Sequence, residues 1–412
     1  MVSGGSDREG LGILLVGAGV VGRAILKAHV DAEVSLSFAD QDHVALREAV
    51  AELNLESSRW RVSEISPLHD SLAFIRIQRR GEDQSVPPLV IESITEKLSV
   101  KQAFFQHAET WLDDKVVFCS NTSTLRIGEI GHVLGDPSRL CGLHFFMPVQ
   151  QRWAVEVVQA EQTSSSAIEI CRRHLRRLGK TPLEVSDRPG FIVNRLLSPY
   201  LNEAMLLLGR GVHAGQLERA ALAYGMPLSP LELADLIGIG TLFDAGRAFW
   251  QAFPTRLDPS PIPAALIKAG RLGRAAGAGF YNYDQGRRGD ELPAQVVRLC
   301  KKYQRHVVKL ADQEVMLMLA IPMWIEAALA FSDGAIRSPQ QLDTAMGGGL
   351  GYQRDTGWLS FFDRVGSERL LQMMDQFGPT AKSLRAPEEL AEGLRQGSPS
   401  QALLGFAAGR SD

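Results

Sequence analysis

Two residues twelve apart, His144 and Glu156, carry the clearest chemistry in this 412-residue sequence. They bound the stretch LHFFMPVQQRWAVE: an apolar HFFMP, a turn-like VQQR, then the alternating WAVEVVQ. That pattern predicts two extended segments lying side by side. In that geometry Glu156 accepts a hydrogen bond from one imidazole nitrogen and leaves the other to serve as a base. A lone histidine in an apolar run is more simply a core residue bonded to backbone. The company His144 keeps in sequence decides between the two.

That company begins at Gly12 to Val30, GILLVGAGVVGRAILKAHV. The apolar run Ile13–Val16 predicts a buried strand, and Gly17, Gly19 and Gly22 follow it at once. Residues with helical spacing come next, then a second strand over Val34–Phe38 and an acid, Asp40, eighteen residues past Gly22. Strand, glycine turn, helix, strand, acid is the context a dinucleotide needs. Gly17 permits the tight turn, Gly19 lets backbone approach the pyrophosphate, and Gly22 lets helix and strand pack closely. The helix N-terminus then faces the phosphates. Asp40 accepts from the ribose hydroxyls and repels a 2′-phosphate, so the predicted cofactor is NAD rather than NADP.

Further elements must position these groups. Helical spacing over Val44–Leu53, a strand at Trp60–Ser63 and an exposed polar loop over Gln78–Pro88 are expected. Leu89–Ile94 reads as a strand and SITEKLSVKQAFF as a helix. Glu96 and Lys101, five apart, would not share a face of one helix and read from spacing alone as solvated charges. Val116–Cys119 is a short buried strand ending in SNTST, which lifts Ser123 above an ordinary turn serine, because open parallel sheets place ligand contacts at strand ends. Leu140–Phe146 brings His144 to the same edge. The alternation of strand and helix predicts a doubly wound sheet.

Beyond Lys180, TPLEVSDRPG reads as a loop and the remainder as almost entirely helical. The helix FIVNRLLSPYLNEAMLLLGRGV is apolar around most of its circumference, which predicts burial, and Asn194 is the polar residue within it. An internal repeat is visible. Pro199, Glu203 and Gly211 recur with the same spacing as Pro322, Glu326 and Gly334, and Asp235–Gly238 as Asp363–Gly366. Asn194 falls opposite Leu317, so the second copy lacks the polar group and reads as structural.

Composition bounds the rest. The length implies two or three domains. A net charge of -3 gives no electrostatic case for nucleic acid or an anionic membrane. Cys119, Cys141, Cys171 and Cys300 are scattered with no CxxC, so no structural zinc site is expected and a reducing compartment is. No stretch reads as a membrane span and the N-terminus has no apolar signal core, so a soluble, cytoplasmic protein is expected.

With GAGVVG, SNTST, GLHFF with a glutamate twelve on, and PGFIVNRLLSPYLNEA in place, the chain resembles the L-3-hydroxyacyl-CoA dehydrogenases. The duplicated helical part resembles the dehydrogenase half of multifunctional fatty-acid-oxidation enzymes, without their hydratase domain. The resemblance implies an α/β Rossmann-type NAD-binding domain over residues 1–187, a first helical domain over 188–300 and a second, degenerate helical repeat over 301–412. It implies NAD-dependent oxidation of a (3S)-3-hydroxyacyl-CoA to the 3-ketoacyl-CoA in β-oxidation, with His144 as general base and Glu156 orienting it. Ser123 and Asn194 would bond the reacting oxygen or the thioester end. Glu96 and Lys101 match positions near the nicotinamide ribose and the CoA side, and Asp40 the adenosine-ribose acid. The implied partners are an acyl-CoA and a separate hydratase or thiolase, with monomer and homodimer both open. Three departures stand out: Met147 in place of the family's asparagine in HFFNP, a longer and more polar Phe74–Pro88, and Ser229-Pro230 in place of Gly-Pro. A related hydroxy-acid or sugar-acid dehydrogenase, and a non-catalytic NAD-binding component of an oxidation complex, are the alternatives.

Overall fold

Short apolar runs closed by glycine or polar residues become the strands of a ten-stranded sheet in the computed structural model. The structure describes residues 12–69, 71–81, 88–353 and 356–408. Its chain divides into two compact units, Met1–Arg188 and Pro189–Asp412.

In the first unit the strands are β1 (Ile13–Val16), β2 (Leu36–Asp40), β3 (Trp60–Val62), β4 (Ser66–His69), β5 (Leu72–Arg79), β6 (Leu89–Glu92), β7 (Val117–Ser120), β8 (Leu140–Phe145), β9 (Ala154–Gln159) and β10 (Thr181–Ser186). The helices are α1 (Val20–Asp31), α2 (His43–Ala51), α3 (Leu98–Trp111), α4 (Ile127–Gly131) and α5 (Ser165–Arg177). The sheet order is β10-β9-β8-β7-β6-β1-β2-β5-β3, with β4 paired to β5. From β2 through β1, β6 and β7 to β8 every pair is parallel. These strands read as unbroken apolar runs because both faces are covered.

The sheet's flanks depart from the expected pattern. LAFIRIQR alternates as a strand should and forms β5, antiparallel to β2, β3 and β4. The polar loop expected from Gln78 therefore begins inside a strand, and residues 82–87 of it lie outside the described ones. TPLEVS is not a loop but β10, parallel to β9 along its whole length. Pro182 obscured it. At the sheet edge a missing N–H removes no ladder bond.

Under the sheet, α1 and α5 bring together His29 and His174, which are 0% and 5% exposed. His29 Nδ1 lies 2.8 Å from the Ile25 carbonyl, so it carries the proton. Nε2 of His29 then accepts from Nε2 of His174 at 3.2 Å. Nδ1 of His174 is left buried without a partner among the described residues. Burial pushes His29 from its ordinary 6.5 down to about 4. The unfolded chain therefore takes up the proton first as pH falls. Stability is fully present above pH 6.5 and is lost progressively toward pH 4, by about 3 kcal/mol at the lower end for His29 alone. Denaturant melts of the native protein and a His29→Leu variant at pH 7 and pH 4.5 should show a smaller acid loss in the variant. Equal losses would place the sensitivity elsewhere.

The second unit contains α6 (Val193–Gly209), α7 (Ala214–Tyr224), α8 (Pro230–Ile237), α9 (Ile239–Ala252), α10 (Ile262–Lys268), α11 (Ala294–Lys302), α12 (Asp312–Ser332), α13 (Pro339–Asp343), α14 (Trp358–Val365), α15 (Ser367–Phe377), α16 (Glu388–Gln396) and α17 (Pro399–Ala408). The repeat is physical. Pro199 and Pro322 sit inside α6 and α12, and Glu203 and Glu326 are buried in those helices. Gly238, with φ +92°, breaks α8 from α9, and Gly366, with φ +84°, breaks α14 from α15. The aspartate before each glycine holds a later segment. Asp235 accepts from the backbone N–H groups of Phe280 and Tyr281, and Asp363 from the N–H and hydroxyl of Ser400.

The two repeats are not separate bodies. Helix α12 packs on α6 and α7, so the boundary expected at residue 300 falls inside one shared core. The copies also exchange partners. Glu326 of the second copy accepts from Arg195 Nε and from Arg256 of the first, both at 2.5 Å. Glu203 of the first accepts from Ser383 of the second at 2.7 Å.

By length and composition α12 could cross a membrane, contrary to the sequence reading. Fourteen of its 21 residues are buried in the unit, and Glu326 is ion-paired there, which is how a core helix behaves.

Candidate active site

His144 is the penultimate residue of β8, and Glu156 lies directly opposite it on antiparallel β9, as register partners. The intervening VQQR turns the chain. In such a pair opposing side chains share a face of the sheet, so the two meet without help from elsewhere in the fold. His144 Nδ1 and Glu156 Oε2 are 2.6 Å apart. The histidine is 5% exposed and the glutamate 0%. Phe146 sets its ring edge-on to the imidazole, with centroids 4.9 Å apart. A charge-assisted bond of this length, kept from water, fixes the ring's orientation and its tautomer.

Asn121, overlooked by the sequence reading though it stands in SNTST, braces the same strand. The ladder between β7 and β8 ends at Ser120 and Gly142. Beyond it the Asn121 Oδ1 accepts the backbone N–H of Phe145 at 2.9 Å, one residue past the histidine. A side chain thus continues the sheet where the backbone of β7 has turned away.

The SNTST turn is held by a carboxylate network. One oxygen of Glu96 accepts from the Thr122 and Thr124 hydroxyls and from the N–H groups of Ser123 and Thr124, at 2.6 to 3.1 Å. Its other oxygen is 3.2 Å from Lys101 Nζ, which also bonds Glu92 at 2.6 Å. Glu92, fully buried, takes the Ser120 hydroxyl on its second oxygen. Burial alone would raise the Glu96 pKa, but the Lys101 charge and the hydrogen bonds from Thr122, Thr124 and Ser123 outweigh it, so Glu96 is held below the usual carboxylate range. The helix begins only at Leu98, so Glu96 precedes it and the helical argument against pairing does not apply. Lys101 is 1% exposed and occupied by two carboxylates, which places it behind Glu96. A glutamate ending the apolar run LVIE was the signal for Glu92, since a buried charge needs a partner.

At the neighbouring strand ends, a Cβ on Gly17 would overlap the Ser93 carbonyl, and one on Gly22 the Gly17 carbonyl. A Cβ on Gly19 would meet nothing within 4 Å. Gly17 and Gly22 are therefore packing requirements, whereas Gly19 leaves open backbone at the N-terminus of α1, as a pyrophosphate would need. Asp40 closes β2 beside this turn. One of its oxygens accepts the Ala18 N–H at 2.6 Å and the other the Asp42 N–H at 2.8 Å. Each oxygen keeps a second lone pair for a ribose hydroxyl. The residues fit a dinucleotide. Asn194 belongs to the other unit, at the start of α6, where its carbonyl accepts from Ser198.

Residues 12–188 match the family described as 3-hydroxyacyl-CoA dehydrogenase, NAD binding domain, and residues 190–283 its C-terminal domain. The chain belongs to the 3-hydroxyacyl-CoA dehydrogenase family. Its first unit is that family's NAD-binding domain.

Among its relatives is the fatty acid oxidation complex subunit alpha of Ectopseudomonas oleovorans, 28% identical over 384 residues. That match covers 89% of this chain but 54% of the relative, so the chain spans about half its length. The (S)-3-hydroxybutyryl-CoA dehydrogenase of Ralstonia eutropha is 26% identical, covers 66% of this chain and 98% of its own, and superposes with a TM-score of 0.55. The fold alone is shared more fully with 3-hydroxybutyryl-CoA dehydrogenase of Escherichia coli, with a TM-score of 0.72, 24% identity, and 95% and 98% of the two chains covered.

In this family member Asp40→Ala is expected to weaken NAD binding and relax the bias against NADP, since it removes both an acceptor and a repulsive charge. The lost Ala18 bond adds disorder in the turn. Titrating both cofactors by fluorescence checks this, and unchanged affinities would move the ribose contact to another acid such as Asp42.

Proposed function

We propose that this dehydrogenase oxidises the 3-hydroxyl of a (3S)-3-hydroxyacyl-CoA to the ketone, within fatty-acid oxidation. The observation that carries the reading is the His144–Glu156 pair, buried and in register at the strand ends of an NAD-binding sheet. NAD, when bound, supplies the acceptor for the hydride from C3. The chain's own residues handle the proton. With Nδ1 engaged by Glu156, His144 takes the hydroxyl proton through Nε2, and the buried carboxylate balances the imidazolium as it forms. In the reverse direction the same nitrogen returns the proton to the ketone oxygen. Ser123, on the turn that Glu96 organises, is the residue of the NAD-binding unit that would hold the reacting oxygen or the thioester end. The relative from Ectopseudomonas oleovorans, by its name a subunit of a fatty acid oxidation complex, supports acyl-CoA as the substrate and a hydratase or thiolase as the partner.

The test is NADH oxidation by the full chain with acetoacetyl-CoA and longer 3-ketoacyl-CoA substrates. Turnover with at least one chain length, and none with sugar acids, is expected. NADH binding without turnover on any acyl-CoA would instead make the chain a non-catalytic component.

A further inference from the structure

Three of the four cysteines, scattered in sequence, converge in the core of the first unit. Cys119 on β7, Cys141 on β8 and Cys171 on α5 are each 0% exposed. Their sulfurs form a triangle with edges of 3.5 Å (119–141), 3.5 Å (119–171) and 3.1 Å (141–171). All three are free thiols, packed among aliphatic neighbours such as Leu143, Ile168 and Leu175.

Geometry and charge both narrow what such a triangle can hold. With sulfur bonds of ~2.3 Å, a tetrahedral ion needs edges of about 3.8 Å and a planar three-coordinate ion about 4.0 Å. The observed edges are shorter, so the ion would sit above the sulfur plane at the apex of a pyramid. No histidine, carboxylate or further cysteine joins the group as a fourth ligand among the described residues. Three thiolates on a divalent ion would leave a net negative charge in an apolar core, which is costly. On a trivalent ion they leave none.

We propose that Cys119, Cys141 and Cys171 form a site for a trivalent thiophilic ion of the arsenite class. Arsenous acid condenses with the three thiols. Each As–O bond is replaced by an As–S bond, and each departing hydroxide carries off one thiol proton as water. Arsenic keeps its oxidation state, and no oxidant is required. Entry needs α5 to open locally from β7 and β8, which makes capture and release slow. Cys141 lies three residues before His144 on β8 and so points to the opposite face. Capture would therefore lock the catalytic strand from behind without occupying its front.

The full chain, reduced with a phosphine, is incubated with arsenite, freed of excess reagent, and examined by native mass spectrometry and a thermal melt. The expected result is one arsenic less three protons per folded chain, and a raised midpoint. Cys300→Ala should retain it. Cys141→Val should bind about 100-fold or more weakly, because the third thiol no longer acts intramolecularly. Cys171→Ala replaces it should that variant prove unfolded. Failure of the folded native protein to retain arsenic overturns the proposal. Retention that survives loss of Cys141 or Cys171, or that depends on Cys300, overturns it equally, as does equal retention of zinc.

Discussion

Turnover of a His144→Gln variant is expected to fall by about 100- to 10,000-fold while NAD affinity stays near wild type. Glutamine is close in size and keeps a donor for the buried Glu156, so the β8–β9 pair survives, but no group remains to take the proton. The cofactor is held elsewhere, by the glycine turn and Asp40. Glu156→Gln should also lower turnover, through a different cause. An amide can still position the ring but cannot balance the imidazolium formed during the reaction. A histidine that merely packs would behave otherwise, losing stability and both kinetic parameters together. Thermal midpoint, NAD affinity and turnover with a 3-ketoacyl-CoA, measured on each variant, separate these cases. A folded, NAD-binding His144→Gln enzyme with wild-type turnover would falsify the mechanism.

The second large effect belongs to the helical unit. Glu326→Leu is expected to cost about 3–5 kcal/mol of that unit's stability, because it strips the fully buried Arg195 of one of its two carboxylates. Arg256, at 23% exposure, can turn to solvent, but Arg195, at 0%, cannot. The double variant Arg195→Met/Glu326→Leu should recover part of the loss, since no uncompensated cation is then left inside. Denaturant unfolding of the three proteins decides it. A single-variant cost below about 1 kcal/mol would show the pair to be no stronger than an exposed one.

What could be read from the sequence was what the chain places nearby. The glycine turn and Asp40 are one local unit of strand, turn, helix and strand. His144 and Glu156 were legible because a short hairpin needs only alternation and a turn to bring them together. Asn121 was not legible as a brace, because its bond to Phe145 depends on where the β7–β8 ladder stops. Lys101 was misplaced because Lys97, which immediately precedes α3, offers no side-chain cap, so nothing in SITEKLS marks the helix start. Pro182 hid β10 because the edge position that tolerates it is a property of the whole sheet. The thiol triangle and the Glu326 network depend on packing across 22 to 138 residues, which no local pattern encodes.

The exchange of partners between the helical repeats also sets an order of events at the ribosome. The NAD-binding unit has all of its chain once Arg188 has emerged, and domains generally fold as units during synthesis. Helix α6 has no such early completion. Glu203 waits 180 residues for Ser383, and Arg195 waits 131 for Glu326. At ~5–20 residues per second, α6 stays exposed, with Arg195 lacking both of its carboxylates, for on the order of ten seconds. That interval, rather than any weakness of the finished protein, is when a holding chaperone would find its substrate.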